Sequence, residues 1–256
     1  MEIIYLYVFI GLIGGVTAGM LGLGGGIIFV PGLMLVHKYY HYFEGYELQA
    51  AIFTSLISII FAGSTSAYFH HKNKLIDIQI IKNFSLYVIV GCFIGIYILE
   101  HTSAELLENI YSIILILLSL LLISDAKVIK NNINTIKKVG GVYFFSNGML
   151  SSLMGIGGGT LSVPYLTFIA GDIKKSIASA SVIGLIIALA SILFMYVINS
   201  DIFIKKVNHL SLISIIPASI IGSYVGVTLL KVLNPESVKS IFSIILLAIA
   251  IYLLIE

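Results

Sequence analysis

The chain has 256 residues, of which 59% are hydrophobic and only 10% are charged, and its formal net charge is +2. An average soluble domain is about 25% charged, so this composition cannot cover a soluble surface, and it also excludes disorder and coiled coil. Long apolar runs without alternation disfavour a transmembrane β-barrel and predict an all-α polytopic membrane protein.

In chain order, the apolar runs form two series of five segments, separated by a polar stretch that carries lysines. The first series is Ile3–Leu21, Ile27–His37, Leu48–Phe69, Phe84–Leu99 and Leu106–Ile123. The second series is Val139–Met154, Thr160–Ala170, Ser176–Ile198, Leu210–Leu230 and Val238–Ile255. The second segment of each series has about eleven residues, which span roughly half of a ~30 Å membrane core. These two segments are therefore predicted to be short, tilted or re-entrant helices.

The two series are an internal repeat. A Gly-x-Gly-Gly-Gly motif followed by a proline occurs at Gly22–Gly26 with Pro31, and again at Gly155–Gly159 with Pro164. Because the motifs keep the same internal spacing, we infer a duplication. The predicted units are a first transmembrane repeat at residues 1–123, a cytoplasmic linker at 124–138 and a second transmembrane repeat at 139–256.

The lysines predict how the chain is oriented. With the two series threaded through a membrane, eleven lysines fall in loops on one side and three on the other. The positive-inside rule places the lysine-rich side, including the 124–138 linker, in the cytoplasm and both termini outside. Each repeat then makes an odd number of crossings, so the two repeats are inverted. Inverted repeats with broken helices near the midplane are typical of alternating-access carriers.

The triple glycines are the predicted binding site. Three consecutive glycines break a helix, because each costs about 1 kcal/mol relative to alanine in a helix interior. A helix that begins after such a break presents free N–H groups and the positive end of its dipole. Two facing breaks would form an anion cradle from Gly24, Gly25 and Gly26 with Gly157, Gly158 and Gly159. The alternative interpretation is that the glycines serve only close helix packing.

Other small and rigid residues are assigned structural roles. A Gly-x-x-x-Gly pair occurs at Gly91 and Gly95 and recurs at Gly222 and Gly226, and for both pairs we favour helix packing. Pro31 and Pro164 are predicted to stiffen or kink the short helices beside the site.

Neutral polar side chains supply the remaining candidate contacts. No Asp, Glu or Lys lies well inside an apolar segment, and the chain contains no Arg, so neither a proton-relay carboxylate nor a guanidinium is predicted. The predicted substrate-binding side chains are Thr54, Ser55, Asn147, Ser152 and Ser181. His70 and His71 follow an apolar segment beside lysines, and we interpret them as interfacial anchors rather than as a pH switch.

Several chemistries are not expected. The single cysteine, Cys92, can form neither an intrachain disulfide nor a zinc cluster, and we predict no metal and no cofactor. A nucleophile motif of the G-x-S-x-G type is absent, so no catalytic residues are predicted and the chain is not expected to be an enzyme. Nucleic acid is not an expected partner.

The doubled Gly-x-Gly-Gly-Gly-x-x-x-x-Pro motif resembles that of the TauE/SafE family of sulfite and organosulfonate exporters, also called the toluene-sulfonate uptake permease family. The resemblance covers nearly the whole chain, including Thr54 and Ser55 after the first motif and the lysine-rich midpoint. It departs at Ser181, which Val182 follows where a Thr-Ser pair like Thr54-Ser55 is expected.

The family resemblance implies a multi-pass carrier in the inner membrane of a bacterium or archaeon, moving sulfite, thiosulfate, sulfoacetate or another organosulfonate. A passive channel for a small solute or anion is the alternative. The expected partners are the anion and the lipid bilayer. The sequence leaves open a coupling proton or cation, a homodimer, and the direction of transport.

Overall fold

The computed structural model describes residues 2–123, 133–198 and 208–232, together with residues 244, 247 and 251. These parts of the chain contain helices and no strand. The helices are α1 (Glu2–Leu21), α2 (Gly26–Tyr39), α3 (Glu47–Lys72), α4 (Ile78–His101), α5 (Ala104–Ile123), α6 (Ile133–Met154), α7 (Gly159–Ala170), α8 (Ile173–Val197) and α9 (His209–Leu229). Five of them, α1, α3, α4, α8 and α9, are long and apolar enough to cross a membrane. The prediction of an all-α polytopic membrane protein is confirmed.

Two helices are short, as predicted. Helix α2 has 14 residues and α7 has 12, which is about 21 Å and 18 Å of rise. Neither length spans a ~30 Å membrane core. The last predicted segment, Val238–Ile255, falls outside the described residues apart from three isolated positions.

Two helix starts differ from the prediction because the helices extend beyond their apolar parts. Helix α4 begins at Ile78 rather than Phe84, since the Asp77 side chain caps it by accepting hydrogen bonds from two backbone N–H groups. Helix α6 begins at Ile133 rather than Val139, so the linker predicted at 124–138 includes the first turns of this helix. A hydropathy profile detects only the apolar part of a helix, so it misses a polar first turn.

The Gly-x-x-x-Gly pairs make close helix contacts. A Cβ at Gly91 would overlap the carbonyl oxygen of Phe145, and one at Gly222 would overlap that of Leu12. These glycines let α4 pack closely on α6 and α9 pack closely on α1. The packing interpretation of both pairs is confirmed.

The helix contacts of the first half are matched by those of the second half. Helix α1 of the first half packs on α9 of the second, and α6 of the second half packs on α4 of the first. The long helices α3 and α8 cross at the centre, and the short helices α2 and α7 pack on them in matching positions. The first helix of each half therefore packs mainly on a helix of the other half.

The directions of corresponding helices show that the repeats are inverted. Helix α1 ends beside the last turns of α3, where Nε2 of His70 lies 3.1 Å from the carbonyl oxygen of Gly19. Helix α6 ends beside the first turns of α3, where a Cβ at Gly155 would lie 2.9 Å from the Cα of Ile52. Because α1 and α6 hold the same place in their repeats but point to opposite ends of α3, the predicted inversion is confirmed.

Two lysine-bearing regions lie at the same end of the bundle. The backbone N–H of Asp77, just after the lysine-bearing end of α3, donates to Oγ of Ser179 in the second turn of α8. Lys174 and Lys175 belong to the first turn of α8. We call this the lysine-rich end. At the opposite end, Lys38 forms an ion pair of 3.3 Å with Glu108.

Candidate functional site

The two glycine breaks meet at the centre of the bundle. A Cβ built on Gly24 would lie 2.5 Å from the Cα of Gly157, and one built on Gly157 would lie 2.6 Å from the Cα of Gly24. A Cβ on Gly159 would overlap the carbonyl oxygen of Gly22. The breaks therefore face each other as the inverted repeat predicts, and glycine is required for this contact whatever else the breaks do.

Each break begins a short helix with an unusual cap. Gly25 precedes α2 with φ of 80°, and Gly158 precedes α7 with φ of 65°. Only glycine adopts this left-handed backbone readily, and neither cap places a side-chain oxygen on the helix N–H groups.

The first turns of both helices therefore keep unpaired donors. Within the described residues, the backbone N–H groups of Ile27, Thr160 and Leu161 have no hydrogen-bond acceptor. The Thr160 hydroxyl is also buried and has no hydrogen-bond partner in the part of the chain that the structure describes. Unpaired N–H groups at a helix start favour a negative charge, so each break has the electrostatics of an anion site.

The two breaks differ in the side chains that surround them. At the first break, the ring of Phe29 packs over Gly14 and Gly25. The repeat offset of 133 residues places Asn147 and Ser162 at the positions of Gly14 and Phe29. An apolar contact in the first repeat is thus replaced by a polar pair in the second.

The polar side chains at the second break form one hydrogen-bonded group. Nδ2 of Asn147 donates to Oγ of Ser162 at 2.7 Å and to the carbonyl oxygen of Gly158 at 3.3 Å. Oγ of Ser151 donates to Oδ1 of Asn147 at 2.8 Å. All three side chains are buried. We call Asn147, Ser151 and Ser162 the second-break cluster.

Two of the predicted polar side chains contact a break. Asn147 belongs to the second-break cluster, and Ser55 donates from Oγ to the carbonyl oxygen of Gly155 at 2.7 Å. Ser55 therefore joins α3 of the first repeat to the break of the second.

The other three predicted side chains bond to backbone away from the breaks. Thr54 and Ser181 donate to carbonyl oxygens of their own helices, Ala50 and Ala178. Ser152 donates to the carbonyl oxygens of Met149 and Cys92, so it faces α4. Their predicted role in binding stays a prediction.

The structure also clarifies which positions of α3 and α8 correspond. Gly22 packs against Ile177 and Gly155 packs against Ile52, so the two helices are offset by 125 residues. Thr54 then corresponds to Ser179, and Ser55 corresponds to Ala180. Ser181 is one position beyond the counterpart of Ser55, which explains the departure from a Thr-Ser pair.

Sequence reasoning did not place Ser162 in the site and did not select Ser151 for it. A serine in a short apolar helix usually bonds to its own backbone, so neither residue attracts notice alone. A position-by-position comparison of the repeats gives the missing signal, because Ser162 and Asn147 replace Phe29 and Gly14 together.

Both prolines lie inside the short helices, beside the breaks. Pro31 and Pro164 cannot donate to the carbonyl oxygens of Ile27 and Thr160, four residues earlier, which lie in the first turn of each helix. Each short helix thus lacks the usual helical hydrogen bond to one carbonyl oxygen of its first turn. The predicted structural role of the prolines stays a prediction.

Aromatic rings lie next to the second-break cluster on its lysine-rich side. The rings of Tyr143 and Tyr165 stack with centroids 4.3 Å apart, one helical turn from Asn147. The ring of Phe84 stacks on that of Phe144 at 4.4 Å beside them. The corresponding first-repeat residues of the tyrosines are Ile10 and Gly32, so this aromatic group also occurs in one repeat only.

The inverted repeats, the broken helices and the apolar spans define a polytopic membrane protein, and this arrangement occurs in many membrane transporters. Comparison with known families then identifies it. The chain matches the family model described as "Sulfite exporter TauE/SafE" over residues 7–253, and it belongs to this family of membrane transporters. The family resemblance predicted from the glycine motifs is confirmed.

Full-length relatives agree with this assignment. The chain is 30% identical to the "Probable membrane transporter protein YunE" of Bacillus subtilis (strain 168), over 98% of this chain and 97% of the relative. It is 25% identical to a "Probable membrane transporter protein" of Haemophilus influenzae, over 99% and 98%. It is 23% identical to the "Probable membrane transporter protein MJ0441" of Methanocaldococcus jannaschii, over 98% and 95%. No solved structure matches the chain.

Proposed function

We propose that the protein is a secondary transporter of small sulfur-containing anions that works by alternating access, with its binding site at the two glycine breaks. The observation that carries the proposal is the second break, where unpaired helix N–H groups and a buried group of neutral polar side chains occur together. The family name supports sulfite or a related sulfur anion as the substrate, and the names of the relatives say only that they are probable membrane transporters.

The proposed site holds the anion with neutral donors. The chain has no Arg, and the buried polar side chains of the described residues include no Lys. A bare anion near the midplane would face a desolvation cost of many kcal/mol. Helix N–H groups, the Asn147 amide and the Ser162 hydroxyl can offset this cost, because their dipoles are held in place by the fold. Oxyanions with several oxygens can accept from several such donors at once.

The structure corresponds to a state in which the cluster bonds to itself. Nδ2 of Asn147 donates to Ser162 and to Gly158, which both belong to the α7 side of the break. In the proposed cycle, the anion replaces these acceptors when α7 moves away from α6. The stacked tyrosines on α6 and α7 separate in the same movement, which opens the site toward the lysine-rich end.

The orientation in the membrane is part of the proposal. The positive-inside rule assigns the lysine-rich end to the cytoplasm of a bacterial or archaeal cell, with the protein in the cytoplasmic membrane and both termini outside. The hydrogen bond from Asp77, in the α3–α4 turn, to Ser179, near the start of α8, supports this assignment because it places two lysine-bearing regions at the same end of the bundle.

Flux measurements on reconstituted protein test the proposal. Proteoliposomes are given labelled sulfite, thiosulfate, sulfoacetate or an alkyl sulfonate, and initial rates are measured over a concentration series. A carrier gives saturable uptake that is accelerated by unlabelled anion on the opposite side. Non-saturable flux without this acceleration would indicate a passive channel and contradict the proposal, as would the absence of flux for every anion.

A further inference from the structure

Two histidines are buried in the bundle, at opposite ends. His37 and His70 are both 0% exposed. The buried polar side chains of the described residues include no Asp, Glu or Lys. These two histidines are therefore the buried groups in that part of the chain whose ordinary pKa, about 6.5, lies near neutrality. The interpretation of His70 as an interfacial anchor is wrong, because the end of α1 packs over it, whereas His71 is exposed.

His70 has one bonded and one unbonded ring nitrogen. Nε2 lies 3.1 Å from the carbonyl oxygen of Gly19. A carbonyl oxygen only accepts, so Nε2 carries the hydrogen, and Nδ1 of the neutral ring has a lone pair. Nδ1 is buried and has no hydrogen-bond partner among the described residues. The lone pair can take up a proton without breaking the bond to Gly19.

The helix end beside His70 offsets part of the cost of placing a positive charge on this buried side chain. Gly19 lies in the last turn of α1, just before the first glycine break, and this helix end carries the negative end of the dipole. Oγ of Ser66 donates to the neighbouring carbonyl oxygen of Ala18 at 3.3 Å. Unpaired carbonyl groups at the C-terminal ends of broken helices bind coupling cations in other carriers. A protonated imidazole is a cation of this kind.

This arrangement occurs in one repeat only. With the offset of 125 residues between α3 and α8, Ser66 corresponds to Ser191 and His70 corresponds to Met195. The end of α6 therefore has no matching basic group. The first repeat carries the buried base and the second repeat carries the second-break cluster.

Other titratable groups at this end are exposed or half-buried. The last turn of α1 contributes none. The groups on the packed helices and at their ends are Tyr68, His71, Lys72, Lys174, Lys175, Tyr224 and Lys231, which are exposed, and the helix-capping Asp172, which is half-buried. The turn after α3 adds Lys74 and Asp77, which are exposed as well. None of these is in an ion pair with His70 within the described residues, so the proton would be held by the α1 helix end.

We propose that His70 binds the proton that is coupled to anion transport. The proposal rests on the transport function proposed above. A proton from the aqueous phase binds Nδ1, Nε2–H keeps its bond to Gly19, and the charge of the imidazolium is balanced by the anion at the adjacent breaks. Proton and anion then travel together, and the proton leaves to the aqueous phase on the other side of the membrane.

The test compares two substitutions in proteoliposomes. In His70→Gln the amide can still donate to Gly19, but the side chain cannot be protonated. His37→Gln is the matched control, because His37 is equally buried and also has one ring nitrogen near a backbone carbonyl oxygen, that of Glu47 at 3.3 Å, but lies at the other end of the bundle. Two rates are measured for the wild type and both variants, namely exchange without a pH gradient and accumulation with the outside acidic. The substrates are labelled thiosulfate and, in parallel, a labelled alkyl sulfonate, which both stay ionised near neutral pH.

In the wild type, a gradient of one pH unit should raise the inside concentration of a monovalent anion to about ten times the outside concentration, as expected for one proton per anion. His70→Gln should retain exchange and lose accumulation, and His37→Gln should retain both. Accumulation by His70→Gln equal to the wild type would overturn the proposal. Exchange in the wild type without any response to the pH gradient would also overturn it and would leave the transport function intact.

A second measurement covers the case in which His70→Gln does not fold. A pH dye inside wild-type proteoliposomes reports proton entry when anion is added outside. Acidification of the interior that depends on the anion supports the proton coupling that the proposal requires. Anion uptake without acidification contradicts it. Absence of uptake for every anion would contradict the transport function itself, and this proposal with it.

Discussion

Replacement of Asn147 by leucine is the sharpest test of the second-break cluster. Leucine has nearly the same shape as asparagine but has no amide, so Asn147→Leu removes the donor to Ser162 and Gly158 and the acceptor for Ser151. The two serine hydroxyls can rotate toward carbonyl oxygens of their own helices. We therefore expect a stability loss of about 1–3 kcal/mol, which a folded membrane protein of this size tolerates.

The effect on anion binding should be larger than the effect on folding. A hydrogen bond to a charged group contributes about 1.5–3 kcal/mol, which corresponds to a roughly 10- to 150-fold increase in Kd. Binding of the transported anion to purified protein is measured by calorimetry or scintillation proximity. The control is Ser214→Ala, since the Ser214 hydroxyl donates to Leu210 within α9, away from the breaks.

The reasoning would be refuted if Asn147→Leu bound the anion with the affinity of the wild type while eluting as a folded, monodisperse protein. A loss of binding in Ser214→Ala of the same size would show that the effect is not specific to the cluster. Alanine at Lys82, which is exposed at the lysine-rich end, should change the Kd less than about threefold. A larger loss at Lys82 would show that a charged side chain holds the anion.

The remaining predictions concern the glycines and the orientation of the chain. Gly158→Leu should abolish transport with the protein still in the membrane. The left-handed backbone strains a leucine there, but its Cβ would overlap only the flexible tip of Ile187 and would make ordinary contact with Asn147 and Ser151, and normal flux would exclude Gly158 from the site. Gly25→Leu should also reduce the amount of folded protein, since its Cβ would overlap the backbone of Gly14, and wild-type amounts on an immunoblot would contradict this. Single cysteines in the 124–138 linker, in a background without Cys92, should be labelled only after cells are permeabilised, and labelling of intact cells would reverse the orientation.

The architecture could be predicted because glycine and proline act locally. Three adjacent glycines interrupt a helix in almost any surroundings, so the short helices and the repeat followed from the spacing of the two motifs. The inverted arrangement followed from lysine positions and an odd number of crossings. Helix starts such as Ile78 and Ile133 were harder to predict, because polar first turns extend beyond the apolar segments from which the prediction was made.

The side chains of the site could be predicted only in part, because the site depends on contacts between distant parts of the chain. Asn147 was found because an amide is costly in an apolar segment. Ser162 was missed because it meets Asn147 only after α7 folds back along α6. His70 stands beside lysines in the sequence, and its burial results from the end of α1, 51 positions earlier at Gly19, packing over it.

Protection of a cysteine at Ser162 by the anion tests the central claim most directly. Ser162→Cys is introduced in a background without Cys92, with Ser214→Cys as the matched control outside the breaks. The rate of reaction with a small thiol reagent is measured in proteoliposomes as the transported anion is added. The proposed site predicts that the anion slows the reaction at position 162, with half-protection at the concentration that half-saturates transport, and leaves position 214 unchanged. Reaction at position 162 that is unaffected by a saturating concentration of a transported anion would show that the anion binds elsewhere.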